Sequence, residues 1–181
     1  MQHLSVRELQ TEDIPLIADY WLTSEPDFLV GMGVDLAKVP SREELTAMLT
    51  YQLSLPVNQR MSYALIWLED DKPVGHSNVN KIEFGESAYM HLHLWQPALR
   101  QKGAGTELVK QSLPYYFDKL QLKTLYCEPY ALNPAPNKTL AKAGFEFVKQ
   151  HTTIPGTINF EQEVNLWQLT REKYEQIRAG L

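Results

Sequence analysis

The sequence predicts a mixed α/β (α+β) fold in which a single sheet is flanked by helices. Segments with strand-like alternation or short apolar runs interchange with segments of helical spacing along the whole chain. No internal repeat, low-complexity tract or Gly/Ser linker interrupts this pattern. Because 181 residues are enough for one domain with a sizeable core and short for two, we expect a single domain over residues 1–181.

The first third of the chain reads as a strand, a helix, a loop and a second helix. Alternating apolar and polar residues over Leu4–Leu9 predict the strand, and Thr11 is a suitable N-cap for the helix that follows. Ser41 and Glu44 have the spacing of a capping box and predict the start of the second helix. We expect the acidic segment between these helices, Ser24–Val39, to be a loop.

The rest of the chain predicts a sheet of about seven strands. One long helix is expected over Thr106–Leu120, with a kink or an early end at Pro114, because proline lacks the amide that a helix interior needs. Thr170 is expected to cap a C-terminal helix. The other expected strands are Tyr63–Leu68, Val74–Ile82, Tyr89–Trp95, Thr124–Glu128, Phe145–Thr152 and Val164–Leu169, with a short helix over Pro136–Ala143.

Composition argues against several classes of partner. The formal net charge of -5 and the sequence pI near 5.5 disfavour nucleic-acid binding and weakly favour a cationic substrate. The single cysteine, Cys127, excludes an internal disulfide and offers no thiol cluster for zinc. The longest apolar run, Tyr63–Leu68, is too short to span a bilayer. We therefore expect a cytoplasmic protein with no metal, membrane or nucleic-acid partner.

A glycine-containing loop lies between a predicted strand and a predicted helix, at Arg100–Gly105. In this position the loop and first-turn amides point at a ligand, and the helix dipole favours an anion such as a phosphate. A Walker loop needs Lys and Ser or Thr after the last glycine, and a dinucleotide fingerprint needs a glycine at Leu108; neither is present. The alternative is that the glycines only form a tight turn.

The segment Arg100-x-x-Gly103-x-Gly105 resembles the cofactor motif of the GNAT superfamily of acyl-coenzyme A N-acyltransferases. A second stretch, Asn133 followed eleven residues later by the pair Gly144-Phe145, resembles another motif of that superfamily at its usual spacing. Leu140, Lys142 and the ending Leu169–Glu172 look most similar to the branch of ribosomal-protein N-terminal acetyltransferases, the Rim-type branch.

The resemblance implies that acetyl-coenzyme A (acetyl-CoA) is the co-substrate and that no metal is needed. It implies a splayed pair of strands, whose exposed backbone groups hold the pantetheine arm and the thioester carbonyl, and a loop that holds the diphosphate. The residues expected to bind the cofactor are Leu94, Trp95, Gln96, Arg100, Gln101, Lys102, Gly103, Ala104, Gly105, Thr106, Asn133 and Asn137.

Candidate catalytic residues follow from the chemistry of acetyl transfer to an amine. His91 and His93 alternate along one strand, so both face the same side, and either could accept the amine proton or be structural. Many relatives have a tyrosine that protonates the departing thiolate where this chain has Leu140. Tyr126, Tyr130 or water could replace it, since a thiol pKa of roughly 8.5 makes thiolate departure easy.

Two residues are candidates for binding the acceptor: Glu128 could attract a cationic amine, and Phe28 could border the substrate cleft. We expect direct attack by a primary amine of a small molecule, protein or peptide in a ternary complex, and we leave open a homodimer. Cys127 fits a buried core residue better than an acyl carrier. The alternatives are a catalytically weak acyl-CoA sensor and a structural or partner-binding α/β domain.

Overall fold

The computed structural model describes residues 3–100 and 103–180, which form one seven-stranded mixed sheet flanked by helices, as the sequence predicts. The order of the strands across the sheet is β1-β2-β3-β4-β5-β7-β6. Only β4 and β5 run parallel; the other neighbours are antiparallel. The strands are β1 (Leu4–Glu8), β2 (Tyr63–Glu69), β3 (Lys72–Glu83), β4 (Ser87–Leu94), β5 (Thr124–Cys127), β6 (Glu146–Thr153) and β7 (Gln162–Thr170).

Six α-helices in the described part of the chain accompany the sheet. They are α1 (Ile14–Thr23), α2 (Pro26–Gly31), α3 (Arg42–Ser54), α4 (Ala104–Pro114), α5 (Pro134–Ala143) and α6 (Arg171–Ala179). The expectation of a loop over Ser24–Val39 is wrong, because that segment contains α2 and a short 3₁₀ turn, Leu36–Lys38. Pro26 supplies the preset backbone angle of a first helical turn, and this signal identifies the start of α2.

Three of the predicted helix boundaries are confirmed and one is wrong. The Ser41 hydroxyl accepts from the Glu44 amide and the Glu44 carboxylate accepts from the Ser41 amide, so α3 begins with the expected capping box. Thr170 caps α6. The helix around Pro114 changes there into a π-helical turn, Tyr115–Lys119. Thr11, by contrast, is not an N-cap: it lies inside a 3₁₀ turn whose cap is Gln10.

The main core lies between one face of the sheet and the helices α4, α5 and α6. It includes two polar contacts, from the Trp67 indole N–H to the Ser112 hydroxyl at 2.9 Å and between the Ser77 and Tyr116 hydroxyls at 2.6 Å. A smaller cluster lies on the opposite face, where Ile17 of α1 and Leu49 of α3 cover Ile66 and Leu68. The face of the sheet that carries α1 and α3 is left partly open, and the candidate site lies there.

Candidate active site

The parallel pair β4 and β5 separates partway along its length. Pairing runs from Ser87 with Thr124 to Met90 with Cys127, and then stops. Strand β4 continues to Leu94 alongside β3, whereas the chain after Cys127 follows β7, where Tyr130 forms an isolated bridge with Val164. The two segments therefore form the splayed strand pair that the resemblance implies.

The backbone of β4 presents its unpaired groups to this opening. The Trp95 amide donates to the Val74 carbonyl on β3 at 2.8 Å. Because hydrogen-bonded and non-bonded pairs alternate along an antiparallel ladder, the backbone groups of Leu92 and Leu94 turn away from β3 and towards the splay. The sequence did not single out Leu92. The alternation of the ladder could have identified it only once the register between β3 and β4 was known.

The residues expected to hold the cofactor arm, Leu94, Trp95 and Gln96, already have partners. The Leu94 carbonyl accepts from the Arg100 guanidinium at 2.9 and 3.2 Å. The Trp95 indole N–H donates to His76, and the Gln96 carbonyl accepts from the Leu99 amide. Of these three residues, Leu94 retains a backbone amide that faces the splay.

The start of α4 has the features of an anion site. Gly103 is the N-cap, in the left-handed region with φ 82°, and no side chain caps the helix. The amides of Thr106 and Glu107 return to the Gly103 carbonyl, so the amides of Gly103, Ala104 and Gly105 are the ones that precede the helical hydrogen bonds. Gln101 and Lys102, also expected here, lie outside the described residues.

Gly105 has room beside it. A Cβ added to Gly105 would lie 3.8 Å from the Thr139 hydroxyl, which is ordinary contact, so internal packing does not require this glycine. A missing side chain beside open helix amides leaves space for a bulky anion to approach the backbone. These residues therefore fit the diphosphate of acetyl-CoA.

The side chains of Arg100 and Phe28 contact each other, which the sequence did not predict. The Arg100 guanidinium turns back to the Leu94 carbonyl and stacks over the Phe28 ring at 4.2 Å, so its side chain is directed away from the helix start. The Phe28 ring also meets Tyr20 edge to face. Among the described residues that line the cavity reported below, Phe28 does not appear. Both side chains hold the end of β4 in place.

The start of α5 borders the splay. Asn133 is its N-cap, and its side-chain oxygen accepts from the Ala135 amide at 3.4 Å. Asn137 donates to the carbonyls of Tyr130 and Asn133 and accepts from Asn165 and the Trp167 indole. These four bonds use both donors and both acceptor positions of the amide, so Asn137 positions the Tyr130–Asn133 turn, and its contact with the cofactor stays a prediction.

His91 and Glu128 flank the apex of the splay. They directly follow the last paired residues, Met90 and Cys127, and alternation puts both on the face that also carries the stacked rings of Tyr89 and Tyr126. The His91 Nε2 atom lies 3.1 Å from the Asn80 side-chain oxygen, so the imidazole donates there and keeps Nδ1 free to accept. Burial and the nearby Lys81 lower the pKa of His91 to about 4.

His93 lies in an aromatic box rather than at the apex. Its ring stacks on His76 at 4.6 Å, meets Trp21 at 4.8 Å, and has Nδ1 3.2 Å from the Tyr20 hydroxyl. Burial, with His76 and His91 nearby, lowers the pKa of His93 well below its usual value. His76 accepts from the Trp95 indole, and burial lowers its pKa to about 3. Both rings are therefore neutral at pH 7.

Glu128 is buried and paired with His151. The His151 Nε2 atom lies 2.8 Å from a Glu128 carboxylate oxygen. Cys127, the neighbour of Glu128, donates its thiol hydrogen to the Met90 carbonyl at 3.0 Å, and burial raises the pKa of this thiol strongly. Cys127 is buried in the main core, the position that the sequence favours for it.

The structure distinguishes the two candidate tyrosines. Tyr130 lines the cavity at the splay, next to Asn133 and edge to face with Phe160 at 5.8 Å. Tyr126 stacks on Tyr89 at 5.1 Å and is not among the described residues that line the cavity. Leu140, where many relatives have a tyrosine, is fully buried.

A cavity of about 820 Å³ opens on this face of the sheet. One row of its floor crosses the sheet from Ala64 on β2 through Asn78 on β3 to His91 on β4, and Glu128 follows beyond the splay. The helices α1 and α3 cover one end, and the segment Ile154–Asn159 contributes another wall. The cavity thus connects the splayed strands with a partly apolar chamber.

Across residues 3–100 and 103–180, no group of three or more His, Cys, Asp and Glu side chains is placed to hold a metal ion. In the same part of the chain, no helix has the length and hydropathy needed to cross a membrane.

An uncapped helix start and a pair of splayed strands together fit the diphosphate and the arm of an acyl-coenzyme A, the co-substrate of the acyltransferase class. Residues 3–146 match the family model described as an acetyltransferase (GNAT) domain. The chain therefore belongs to the GNAT acetyltransferase family, and it is an N-acetyltransferase that uses acetyl-CoA as its co-substrate. No curated protein matches the chain.

Solved structures agree on the fold. The spermidine N-acetyltransferase of Vibrio cholerae in complex with CoA and spermine is 18% identical, covers 95% of this chain and 98% of its own, and has a TM-score of 0.76. The aminoglycoside acetyltransferase AAC(6')-Ib in complex with coenzyme A and kanamycin is 17% identical, with coverages of 97% and 99% and a TM-score of 0.72. This identity is low, so the likeness concerns the fold.

Proposed function

We propose that the whole chain, residues 1–181, is one catalytic domain that acetylates the primary amine of a small molecule by direct attack in a ternary complex. The observation that carries the proposal is the continuous cavity, which joins His91 and Glu128 at the splay between β4 and β5 to the chamber covered by α1 and α3. The structural neighbours named above are described with spermine and kanamycin, both of which are small molecules with amino groups.

In this proposal the chain's own backbone holds the co-substrate, and acetyl-CoA supplies an acetyl group activated as a thioester. The amides of Gly103, Ala104 and Gly105 hold the diphosphate at the start of α4. The amides of Leu92 and Leu94 face the splay, where they can donate to a carbonyl oxygen. Backbone donors fixed in a sheet are preorganised, so they stabilise developing negative charge without moving.

The two protons are assigned to residues at the splay. Glu128 attracts the ammonium form of the acceptor, and the free Nδ1 atom of His91 accepts the proton that the amine loses, directly or through water. Because the pKa of His91 is about 4, the imidazole is neutral at pH 7 and can accept a proton. For the same reason it holds the proton taken from the amine only transiently. Tyr130 protonates the departing sulfur, in preference to Tyr126, which does not line the cavity.

One calorimetric and one kinetic measurement test the proposal. Isothermal titration with acetyl-CoA should show binding, and a thiol-release assay over monoamines, polyamines, aminoglycosides, amino acids and peptides should identify the acceptor. Binding without thiol release for every amine class would favour the acyl-CoA sensor. No binding at all would leave only a structural or partner-binding domain.

The family branch, the cellular location and the oligomeric state are further proposals. A relation to the ribosomal-protein N-terminal acetyltransferase branch predicts turnover of peptide N-termini in the same assay. The free thiol of Cys127 and the need for acetyl-CoA support a cytoplasmic location. Light scattering in solution decides between a monomer and a homodimer.

A further inference from the structure

The walls of the cavity are the feature that bears on the acceptor. Four of the five methionines of the chain line it, Met32, Met48, Met61 and Met90. Flexible thioether side chains adapt to apolar ligands of different shape. Around the end covered by α1 and α3, most of the other lining side chains are also apolar, and the polar ones, Gln52 and Ser62, carry no charge. The apolar ones are Ile17, Trp21, Val34, Leu45 and Leu49.

Charge is scarce in the cavity. Within residues 3–100 and 103–180, Glu128 is the only acidic residue of the lining, and it is already paired with His151. Among the described residues of the lining, Lys81 is the only lysine or arginine, and its ammonium group lies 4.9 Å from the centre of the Tyr89 ring. The polar groups on the floor, including His76, Asn78 and Asn80, are neutral.

The dimensions of the sheet place the charged and apolar parts of the cavity at opposite ends. Glu128 follows β5, and Ala64 lies on β2, three strands away in the order of the sheet. At roughly 4.8 Å between paired strands, and with β4 and β5 already separating at Glu128, this separation is at least about 14 Å. An acceptor with its amine at the apex of the splay therefore extends its body across β3 towards the apolar side chains of α1 and α3.

We propose that the acceptor is a primary amine with a single positive charge and an apolar body, rather than a polyamine or an aminoglycoside. A second ammonium group placed against Leu45 and Leu49, which are 5% and 8% exposed, would lose part of its hydration, and no carboxylate among the described lining residues at that end would replace it. This inference rests on the proposed function, since it assumes that the amine reacts at the splay.

Octylamine and 1,8-diaminooctane form a matched pair of probes, since the second adds only a distal charge. Isothermal titration of each, and of spermidine, into the protein saturated with CoA should show octylamine binding at least about tenfold more tightly than either polycation. Equal or tighter binding of 1,8-diaminooctane or spermidine would overturn the inference, and so would the absence of any amine binding.

A pair of variants tests where the apolar body lies. Met48 lines the cavity from α3 and is 49% exposed, so a polar replacement leaves the core intact. Met48→Glu should bind 1,8-diaminooctane about tenfold more tightly than Met48→Gln, which has the same length without the charge. Equal affinities for the diamine in the two variants would contradict the placement of the body against α3.

Thiol release from acetyl-CoA separates this inference from the proposed function. Octylamine that binds preferentially but is not acetylated would contradict the proposed function and leave the specificity of the cavity in place. Acetylation of spermidine or kanamycin with higher kcat/KM than octylamine would contradict the inference and leave the proposed function in place.

Discussion

At the scale of single residues, two histidines with the same sequence spacing have different surroundings. His91 lies at the apex of the splay with one ring nitrogen held by Asn80, whereas His93 is enclosed by Tyr20, Trp21 and His76. Alternation along β4 puts both rings on one face, but it says nothing about what covers that face. The surroundings favour His91 as the proton acceptor.

Replacing His91 tests this assignment. His91→Gln keeps a donor for Asn80 and removes the basic nitrogen, so kcat/KM for the amine should fall by about 100-fold or more. The affinity for acetyl-CoA should stay unchanged, since the amides at the start of α4 are untouched. Steady-state thiol release and calorimetry measure the two effects. His3→Gln, at an exposed position, serves as the control, and wild-type kcat/KM in His91→Gln would refute the assignment.

The two tyrosines offer a matched pair of variants. Tyr130→Phe removes a hydroxyl from the wall of the cavity, and kcat should fall by at least about tenfold because the departing thiolate loses its proton donor. Tyr126→Phe removes a hydroxyl that lies outside the cavity and should leave kcat within about twofold of the wild type. Thiol release at saturating substrate measures both. The opposite order would assign the proton to Tyr126.

At the scale of elements, the site depends on where secondary structure ends. Strand β4 outlasts its pairing with β5 by four residues, and α4 begins with an uncapped turn at Gly103. Both features leave backbone groups without partners inside the protein, and these groups are what an acyl-coenzyme A ligand needs. Asn137 then fixes the turn on the far side of the splay.

Gly105 provides the test of the helix start. The Cβ of a replacement meets only ordinary contact with Thr139, so Gly105→Ala and Gly105→Val should fold, while the space for the diphosphate shrinks. We expect the affinity for acetyl-CoA to fall progressively, by about tenfold or more in Gly105→Val. Calorimetry measures the affinity, and Gly31→Ala, where nothing lies within 4 Å, is the control. Unchanged affinity in Gly105→Val would place the diphosphate elsewhere.

At the scale of the whole molecule, three neutral histidines share one face of the sheet. Burial lowers the pKa of His76, His91 and His93, and the charged groups on this side of the sheet include Lys81 and Glu128, which line the cavity, and Arg100, which acts on Tyr20. In the unfolded chain these rings take up a proton near pH 6.5, so the unfolded state binds more protons below that pH. Stability should therefore fall as the pH falls from 6.5 towards 3.

Urea unfolding at pH 6.5 and pH 5 measures this dependence. His76 is 3% exposed and should alone account for a loss on the order of 1–2 kcal/mol between these values, since each bound proton contributes about 1.4 kcal/mol per pH unit. His76→Gln can still accept from the Trp95 indole and should show a correspondingly shallower dependence. An equal slope in the variant would mean that His76 is not kept neutral by the fold.

Local sequence signals identified nearly all the elements of the fold. The apolar run at Tyr63, the capping box at Ser41 and the proline at position 114 are each explained by interactions within a few residues, so they are visible without the rest of the chain. The missed helix α2 and the wrong cap at Thr11 are also local. Pro26 and Gln10 start these two helical turns. The acidic residues around them are typical of loops, so the sequence pattern did not predict either start.

Some features of the candidate site were also predictable from the sequence, and others were not. The glycines of the Arg100–Gly105 loop predict an anion site, because the start of a helix is defined by adjacent residues. The resemblance of this loop and of the motif from Asn133 to Phe145 to GNAT motifs is what implies the cofactor and the chemistry. Leu92, His76 and the apolar walls became apparent only from the register of β3 against β4 and from the helices that cover the sheet. Sequence alone therefore determined the donor half of the reaction, whereas tertiary structure decided which histidine reaches the splay and what surrounds the acceptor. Those contacts join residues that are far apart in the chain.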